Sequence, residues 1–369
     1  MLHIAYYISG HGYGHAVRSI EVIKALARKS PFYFFHIKTT APEWFFPLNL
    51  DCNYTYYRHY NDVGTVQHHF HEVDKIATLD ALRKFFDDRR SFIEREIQFF
   101  NKYHIQLVIG DIPPLAFAAA YEAGIPAVAI GNFSWDWIYR SYLDEHPDFE
   151  PLIKEIQEYY RMADVLLRLP MHGPMPAFRA VEDTALIARK ARRKARDVRR
   201  MLRLPDDGRP VVLVALRPAD LERVQFERVM KRSPFKFIVL GQKQYAEHAL
   251  NLPQDLMPFP ELVNAADVVV SKPGYGIVSE CMANRTPLVY TERKDFPEYR
   301  ILVDALQQHA VSQFIPPDAF FAGKWQGAIE AAVQNPWDKP EIPLNGAEQV
   351  GQFIQSFLSQ FAPMSAMSS

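Results

Sequence analysis

Twice in this chain an apolar run ends in a glycine turn that opens directly into a helical pattern, and this unit restricts the fold more than any other feature. The first runs from residues 3–9 through Ser9-Gly10-His11-Gly12-Tyr13-Gly14-His15 into the helical spacing of Ile20, Val22, Ile23 and Leu26. The second runs from Asp267 to Ser271, through Lys272-Pro273-Gly274-Tyr275-Gly276, into Ile277-Val278-Ser279-Glu280. Strand runs that are apolar throughout, rather than alternating, belong to a parallel sheet covered on both faces.

Further strands are expected at Phe32–Ile37, Tyr54–Tyr57, Gln106–Ile109 and Ala127–Ile130, and a second series at Val211–Leu216, Phe235–Leu240, Val268–Ser271 and Pro287–Tyr290. Between them, residues 72–103 place Leu79, Leu82, Phe85, Phe86, Ile93, Ile97 and Phe100 on a helical stripe. Trp135–Leu143 and Leu152–Ala163 read as helices, and Val350, Phe353, Ile354, Phe357 and Leu358 give a last one. At 369 residues the chain is longer than one core sustains. The expectation is therefore α/β, with two facing Rossmann-like domains and parallel sheets: residues 1–170, residues 171–345, and a C-terminal helix within 346–369 placed to pack back on the first domain, its tail from Pro363 fraying. Ligands of such sheets sit at the carboxyl ends of the strands, so facing domains would share one cleft.

Composition removes several classes of function. With 48% apolar and 23% charged residues the chain is an ordinary globular one, and a net charge of -1 gives no global field for nucleic acid. Cys52 and Cys281 are too few for a disulfide framework and lack zinc spacing, which fits a reducing cytoplasm. The N-terminus reads as a first strand rather than a leader, and no apolar run is long enough to span a bilayer. His68-His69-Phe70-His71 has no carboxylate or cysteine partner at helical spacing, so no metal site is expected. Arg189–Arg203 carries nine basic residues and reads first as a solvated helix, with peripheral contact to anionic lipid as the secondary reading.

The glycine turns carry the chemistry. Gly12 and Gly14 let backbone approach a ligand, and the helix start offers free N–H groups at a positive dipole end. His15 stands where turn becomes helix, either taking a proton from an attacking hydroxyl or bonding the turn's own backbone. The second strand ends in Ile37-Lys38-Thr39-Thr40 without the acidic residue a nicotinamide cofactor needs, and no Gly-Lys-Ser/Thr occurs for a P-loop. In the second turn, N–H groups from Gly274 to Ile277 suit a diphosphate, and Glu280 is spaced to accept from two ribose hydroxyls.

Gly-His-Gly-Tyr-Gly-His-Ala-Val-Arg at residues 10–18 and Lys-Pro-Gly-Tyr-Gly-Ile-Val-Ser-Glu at 272–280 resemble the GT-B glycosyltransferases that include the lipid-linked N-acetylglucosaminyltransferase of peptidoglycan synthesis. Asn132-Phe-Ser-Trp-Asp136, Arg168-Leu-Pro and Pro174-Met-Pro-Ala-Phe-Arg are similar to the glycosyltransferase-like N-terminal region of L-arabinokinases, and the likeness runs from about residue 4 to about residue 355. The resemblance implies a twin-Rossmann fold with an acceptor-side first domain and a second domain that binds a nucleotide sugar, a UDP-sugar by preference. It implies no cofactor and no obligatory metal, the nucleotide sugar being a substrate. By motif position Glu280 meets the ribose, Phe259 lies where the base is read, and Asp295 and Glu298 lie where donor-sugar hydroxyls are held. The same likeness adds Tyr275, Gly276 and Ser279 to the donor side and His11, Asn132 and Ser134 to the acceptor side. One departure is plain: where such enzymes place glycines after the first strand of the second domain, this chain has Ala215-Leu216-Arg217-Pro218-Ala219-Asp220. Either Arg217 supplies the charge instead or donor binding is weakened.

The expected activity is metal-independent transfer of a sugar to an acceptor hydroxyl, the base being His15 or a carboxylate such as Asp136 or Asp111, with Lys272 and Arg217 on the leaving diphosphate. The acceptor, whether glycan, lipid-linked or small molecule, is not identified. A nucleotide-sugar-binding module without catalysis and a nucleotide-sugar epimerase remain as alternatives. The kinase half of an arabinokinase finds no counterpart within these 369 residues, so sugar 1-phosphorylation is not expected.

Overall fold

The computed structural model describes residues 1–68, 72–230, 233–241 and 249–361; three of the four residues of the His68–His71 cluster and the tail from Pro363 lie outside them. The chain divides into two compact units. Unit 1 comprises Met1–Val66, Lys75–Ile187 and Pro343–Ser369, and unit 2 comprises Gln67–Asp74 and Ala188–Ile342.

Unit 1 is built on seven strands, β1 Leu2–Ile8, β2 Tyr33–Thr39, β3 Tyr54–Arg58, β4 Ile105–Asp111, β5 Ala127–Gly131, β6 Val165–Arg168 and β7 Val181–Asp183. Their order is β3-β2-β1-β4-β5-β6-β7, and every pairing is parallel. Ile4 to Ile8 are each 0% exposed. Consecutive strand residues point to opposite faces, so both faces of β1 are covered. Strand order reverses between β1 and β4, and the crevice outside their carboxyl ends is where such a sheet binds ligands. It is there that Ser9–His15 and Asp111 fall.

Unit 2 repeats the plan with β8 Val211–Ala215, β9 Lys236–Leu240, β10 Ala249–Leu252, β11 Val268–Ser271, β12 Leu288–Tyr290 and β13 Ser312–Phe314, all parallel in the order β10-β9-β8-β11-β12-β13. Its core gathers Val212, Val214, Phe226, Phe237, Val268, Val270, Val289 and Trp325. The reversal lies between β8 and β11, which puts Arg217 and Lys272 at the corresponding crevice. Two parallel-sheet α/β units are the class the apolar runs predict.

The expected strands differ in detail. Phe32 is 68% exposed and precedes β2, which runs on to Thr39. β7, β10 and β13 have three or four residues, are half-buried or exposed apart from Leu252, and carry no apolar run to announce them. Residues 72–103 form two helices, Lys75–Asp87 and Arg89–Tyr103, and Glu96 on the second is buried although the stripe excludes it. Trp135–Arg140 is shorter than expected and Glu150–Tyr160 starts two residues earlier.

The last helix, Gly346–Phe361, belongs to unit 1 and packs on helix Tyr13–Lys29, with Gly351 against Ala25 and Arg28 Nη2 3.1 Å from Glu348 Oε1. Val350, Ile354 and Phe357 bury its stripe, about 1.5–3 kcal/mol each. The outgoing and returning chains run side by side: Leu186 N–H donates to Pro343 O at 3.1 Å and Gly346 N–H to Leu186 O at 3.2 Å. Among the described residues no helix is long and apolar enough to cross a membrane.

Candidate active site

In unit 1 the turn after β1 is held tight by sterics. A Cβ at Gly10 would lie 1.7 Å from Thr40 Oγ1, and Gly12, at φ 86, adopts a conformation that disfavours any side chain. Gly12 caps helix Tyr13–Lys29, and Gly14 and His15 lie in its first turn. His15 is 5% exposed, its ring edge-on to Phe133 with centroids 5.6 Å apart. Its Nδ1 lies 2.8 Å from Asp111 Oδ1 at the end of β4 and 2.9 Å from Arg18 Nη2. No bond to Nε2 occurs among the described residues.

Asp111 is fully buried and accepts from four donors. Arg18 Nη2 and His15 Nδ1 meet Oδ1, while Arg18 Nε at 2.7 Å and Ser19 Oγ at 3.1 Å meet Oδ2. Burial opposes its ionisation, but the Arg18 charge, then His15 and their hydrogen bonds, outweigh it and bring the carboxyl down to about 2. Arg18 Nη1 also reaches Asn132 Oδ1 at 2.5 Å, just past β5, and Asn132 Nδ2 donates to Met171 O. Thus His15, Asp111 and Asn132 are brought together, with Arg18 as the link.

The remaining unit 1 candidates stand around this cluster. His11 contacts Thr65 Oγ1 through Nε2 at 3.1 Å and lies edge-on to Trp135. Trp135 Nε1 donates to Asp62 Oδ2 at 2.9 Å, and Ser9 Oγ to Asp62 Oδ1 at 3.2 Å. Burial raises the Asp62 carboxyl, with the Trp135 and Ser9 bonds opposing. Asp136 Oδ2 accepts from Gln157 Nε2 at 3.0 Å, and its buried Oδ1 has no partner among the described residues. Ser134 is the N-cap of helix Trp135–Arg140, and its buried Oγ makes no bond among the described residues.

In unit 2, Ser271 is in register with Ala215 on one side and Tyr290 on the other, so the residues that follow each share one sheet edge. They are Arg217, Lys272 and Arg293. Lys272 has its ammonium pushed well below the lysine range by burial first, then by the charges of Arg293 and Arg217, with Asp220 and Glu298 opposing. Three cations crowd an edge beside the start of helix Tyr275–Asn284, whose N-cap Gly274 has no side-chain cap. Asp220 and Glu298 offset part of this positive charge. Arg217 is half exposed and forked onto buried Asp220 at 2.7 and 3.1 Å, so the residue standing in place of the family's glycines is already committed to an internal carboxylate. Arg293 stacks 3.6 Å above the Phe296 ring.

The other donor candidates have varied surroundings. Glu280 is 2% exposed and its Oε1 takes Nε of Arg189 at 2.5 Å, so the carboxylate expected for ribose hydroxyls holds an internal ion pair. Ser279 turns inward to bond Tyr275 O at 2.6 Å, while Tyr275 and Gly276 form the first turn of that helix. Phe259 opens helix Phe259–Ala265 and is half-buried. Asp295 has φ 56 and Glu298, 3% exposed, begins helix Glu298–His309.

The basic stretch is a solvated helix only in part, most of its basic side chains being exposed. Only Ala195–Met201 is helical, Arg189 is buried on Glu280, and Arg199 donates to Ala265 O and Asp267 Oδ1. Among the described residues no group of three or more His, Cys, Asp or Glu is arranged to hold a metal. Arg18, Arg189 and Arg293 are residues that received no place in the site from sequence alone, although Arg18 closes the first motif and Arg189 opens the basic stretch. Arg18 had one signal, its place one helical turn past His15.

Solved structures decide what the two sheets amount to. A calicheamicin glycosyltransferase, CalG4, superposes over 98% of this chain and 100% of its own with a TM-score of 0.62 at 15% identity. The fold is GT-B. A Phytolacca americana glycosyltransferase solved with UDP-2-fluoro-glucose and pterostilbene shares this GT-B fold over 98% of this chain and 95% of its own, with a TM-score of 0.59 at 12% identity. In sequence, the GT-B chain is 30% identical over 363 residues to an L-arabinokinase of Arabidopsis thaliana, covering 95% of this chain but spanning only 34% of that protein. It is 24% identical over 286 residues to an uncharacterized glycosyltransferase of Methanopyrus kandleri, 72% of this chain and 80% of the relative. No protein-family model matches the chain.

Proposed function

We propose that this protein transfers a sugar from a nucleotide-sugar donor to an acceptor hydroxyl, with His15 as general base and no metal. The observation that carries the reading is the His15–Asp111 pair at 2.8 Å, buried beside the switch point of the first sheet. With Nδ1–H donating to Asp111, Nε2 carries the free lone pair. The acceptor oxygen attacks the anomeric carbon, its proton passes to Nε2, and the bond from that carbon to the diphosphate oxygen breaks as the nucleoside diphosphate leaves. Lys272, Arg293 and the N–H groups at Gly274 to Ile277 supply the charge that the leaving diphosphate needs, a role metals fill elsewhere. The complexes of GT-B neighbours with UDP-2-fluoro-glucose and with dTDP support a uridine or thymidine diphosphate donor.

The test is thermal-shift titration with UDP-, GDP-, ADP- and dTDP-sugars on wild type and Lys272→Met. One nucleotide class should stabilise the wild type saturably, by about 2.7 kcal/mol at a hundredfold excess over Kd, and that stabilisation should vanish in the variant. If no nucleotide sugar stabilises the wild type, the donor reading fails. One observation favours a second reading, a nucleotide-sugar-binding module without turnover: Arg217, standing where such enzymes place glycines, is forked onto Asp220. In that case donor binding persists but no acceptor accelerates donor consumption, and His15→Gln changes nothing measurable.

A further inference from the structure

β12 stops at Tyr290, and the next residue is Thr291. Its side chain is 0% exposed, and its Oγ1 has no hydrogen-bond partner among the described residues. Buried hydroxyls are bonded in the large majority of cases, because one without a partner destabilises the fold that holds it. The buried threonine before the same strand obeys that rule: Thr286, 3% exposed, donates its hydroxyl to Val263 O at 3.0 Å. Thr286 lies before the amino end of β12, whereas Thr291 lies past its carboxyl end, where the crevice of such a sheet is found. Tyr290 is level with Ser271 of β11, and Ser271 with Ala215 of β8, so the next row of the edge reads Thr291, Lys272, Leu216. With about 4.8 Å between neighbouring strands, Thr291 stands beside Lys272, where the chain enters Gly274 and the start of helix Tyr275–Asn284, which has no side-chain cap. A Cβ at Gly274 would meet nothing within 4 Å, so the space before that helix is open. Arg293, 8% exposed, follows Thr291 by two residues. Asp220 and Glu298 offset part of the positive charge, but Asp220 is already forked by Arg217.

We propose that Thr291 is a donor-binding residue whose hydroxyl donates to an oxygen of the nucleotide diphosphate, so that the ligand and not the fold satisfies it. A hydroxyl set beside cations is matched by an anionic oxygen, and a hydrogen bond to such an oxygen is roughly twice as strong as one between neutral groups. The long Lys272 side chain next to it turns to the incoming anion and opens the row. The inference rests on the reading of unit 2 as the donor side, and it adds a residue that lies outside both glycine turns. A threonine with a purely structural role behaves in the opposite way. Its hydroxyl has a partner in the fold, so deleting it weakens the unliganded protein and leaves ligand affinity alone.

The experiment compares the wild type with Thr291→Val, which keeps the branched shape and deletes the hydroxyl, and with Thr291→Ser, which keeps the hydroxyl. Each protein is melted without ligand and then titrated in a calorimeter with UDP, dTDP, GDP, ADP and inorganic pyrophosphate. Unliganded Thr291→Val should melt at or above the wild-type temperature, since it loses a group that had no partner. It should bind the preferred diphosphate about tenfold or more weakly, the effect of one hydrogen bond to a charged group, while Thr291→Ser stays within about threefold of wild type. A lower melting temperature of unliganded Thr291→Val, or its failure to fold, overturns the proposal, because the hydroxyl then has a partner in the fold. An equal loss of affinity in Thr291→Ser overturns it as well, the methyl group and not the hydroxyl being what matters. Diphosphate affinity that is the same in Thr291→Val and wild type removes the proposal and leaves the donor reading standing. If no diphosphate binds the wild type, the donor reading falls and the proposal falls with it.

Discussion

Replacing Asp111 by asparagine keeps the shape of the side chain and removes the charge on which His15, Arg18 and Ser19 converge. Arg18, 2% exposed, is then a buried cation facing a neutral amide, and stranding one member of a buried ion pair costs about 3–5 kcal/mol. The pH dependence is fixed by the direction of the shift. The Asp111 carboxyl falls from 3.8 to about 2 on folding, so its contribution is fully present above pH 4 and is lost as pH falls towards 2. By pH 3 about 1 kcal/mol of it is gone, so the gap between wild type and Asp111→Asn should narrow by that amount between pH 7 and pH 3. Urea unfolding at several pH values, followed by near-ultraviolet circular dichroism and by tryptophan fluorescence, measures both quantities. A destabilisation below about 1 kcal/mol at pH 7, far under the range for a stranded buried charge, would refute the argument. So would a gap that does not change with pH.

Three further outcomes are expected. Gly346→Ala would put a Cβ 2.0 Å from Ala185 O, so helix Gly346–Phe361 should undock and hydrogen exchange should quicken in it and in helix Tyr13–Lys29; unchanged protection would sink this. Arg189→Met should destabilise unit 2 by roughly 3–5 kcal/mol in a urea titration, whereas Arg189→Met with Glu280→Leu recovers most of the loss, since two apolar partners leave no charge stranded. Burial, then the neighbouring His3 and Lys38, brings His36 down to about 4, so the unfolded chain takes up that proton first and stability should fall between pH 6.5 and pH 4. His36→Phe should flatten that stretch of the stability curve, and an equal slope would count against the assignment.

The strands were legible because nearly all of their residues are apolar, and the reading from Val268 to Ser271 coincides with β11 itself. Short edge strands such as Val181–Asp183 had no such signal, since an exposed edge asks nothing apolar of its side chains. The glycine turns could be placed for the same local reason, including the His15 that follows the first of them. What local pattern could not supply were the partners: Arg18 meets a carboxylate 93 positions away, and Arg189 meets Glu280 across 91. The expectation for Glu280 rested on motif position, and its ion pair depends on a residue from a stretch whose charge density suggested a solvated surface. Arg293 stood two residues before Asp295, on a loop whose course the strand register reveals and the composition does not.

The return of the chain to unit 1 also sets an order of events during synthesis. Helix Tyr13–Lys29 leaves the ribosome early, but the helix that covers it follows the whole of Ala188–Ile342. At about 5–20 residues per second that interval is on the order of ten to thirty seconds. Throughout it the nascent first unit shows an uncovered apolar face, while the six strands of the second emerge in one uninterrupted run and can close first. The part made first is thus the part finished last, and a fragment ending near Ile187 should need a chaperone or a supplied copy of residues 343–361 to stay in solution.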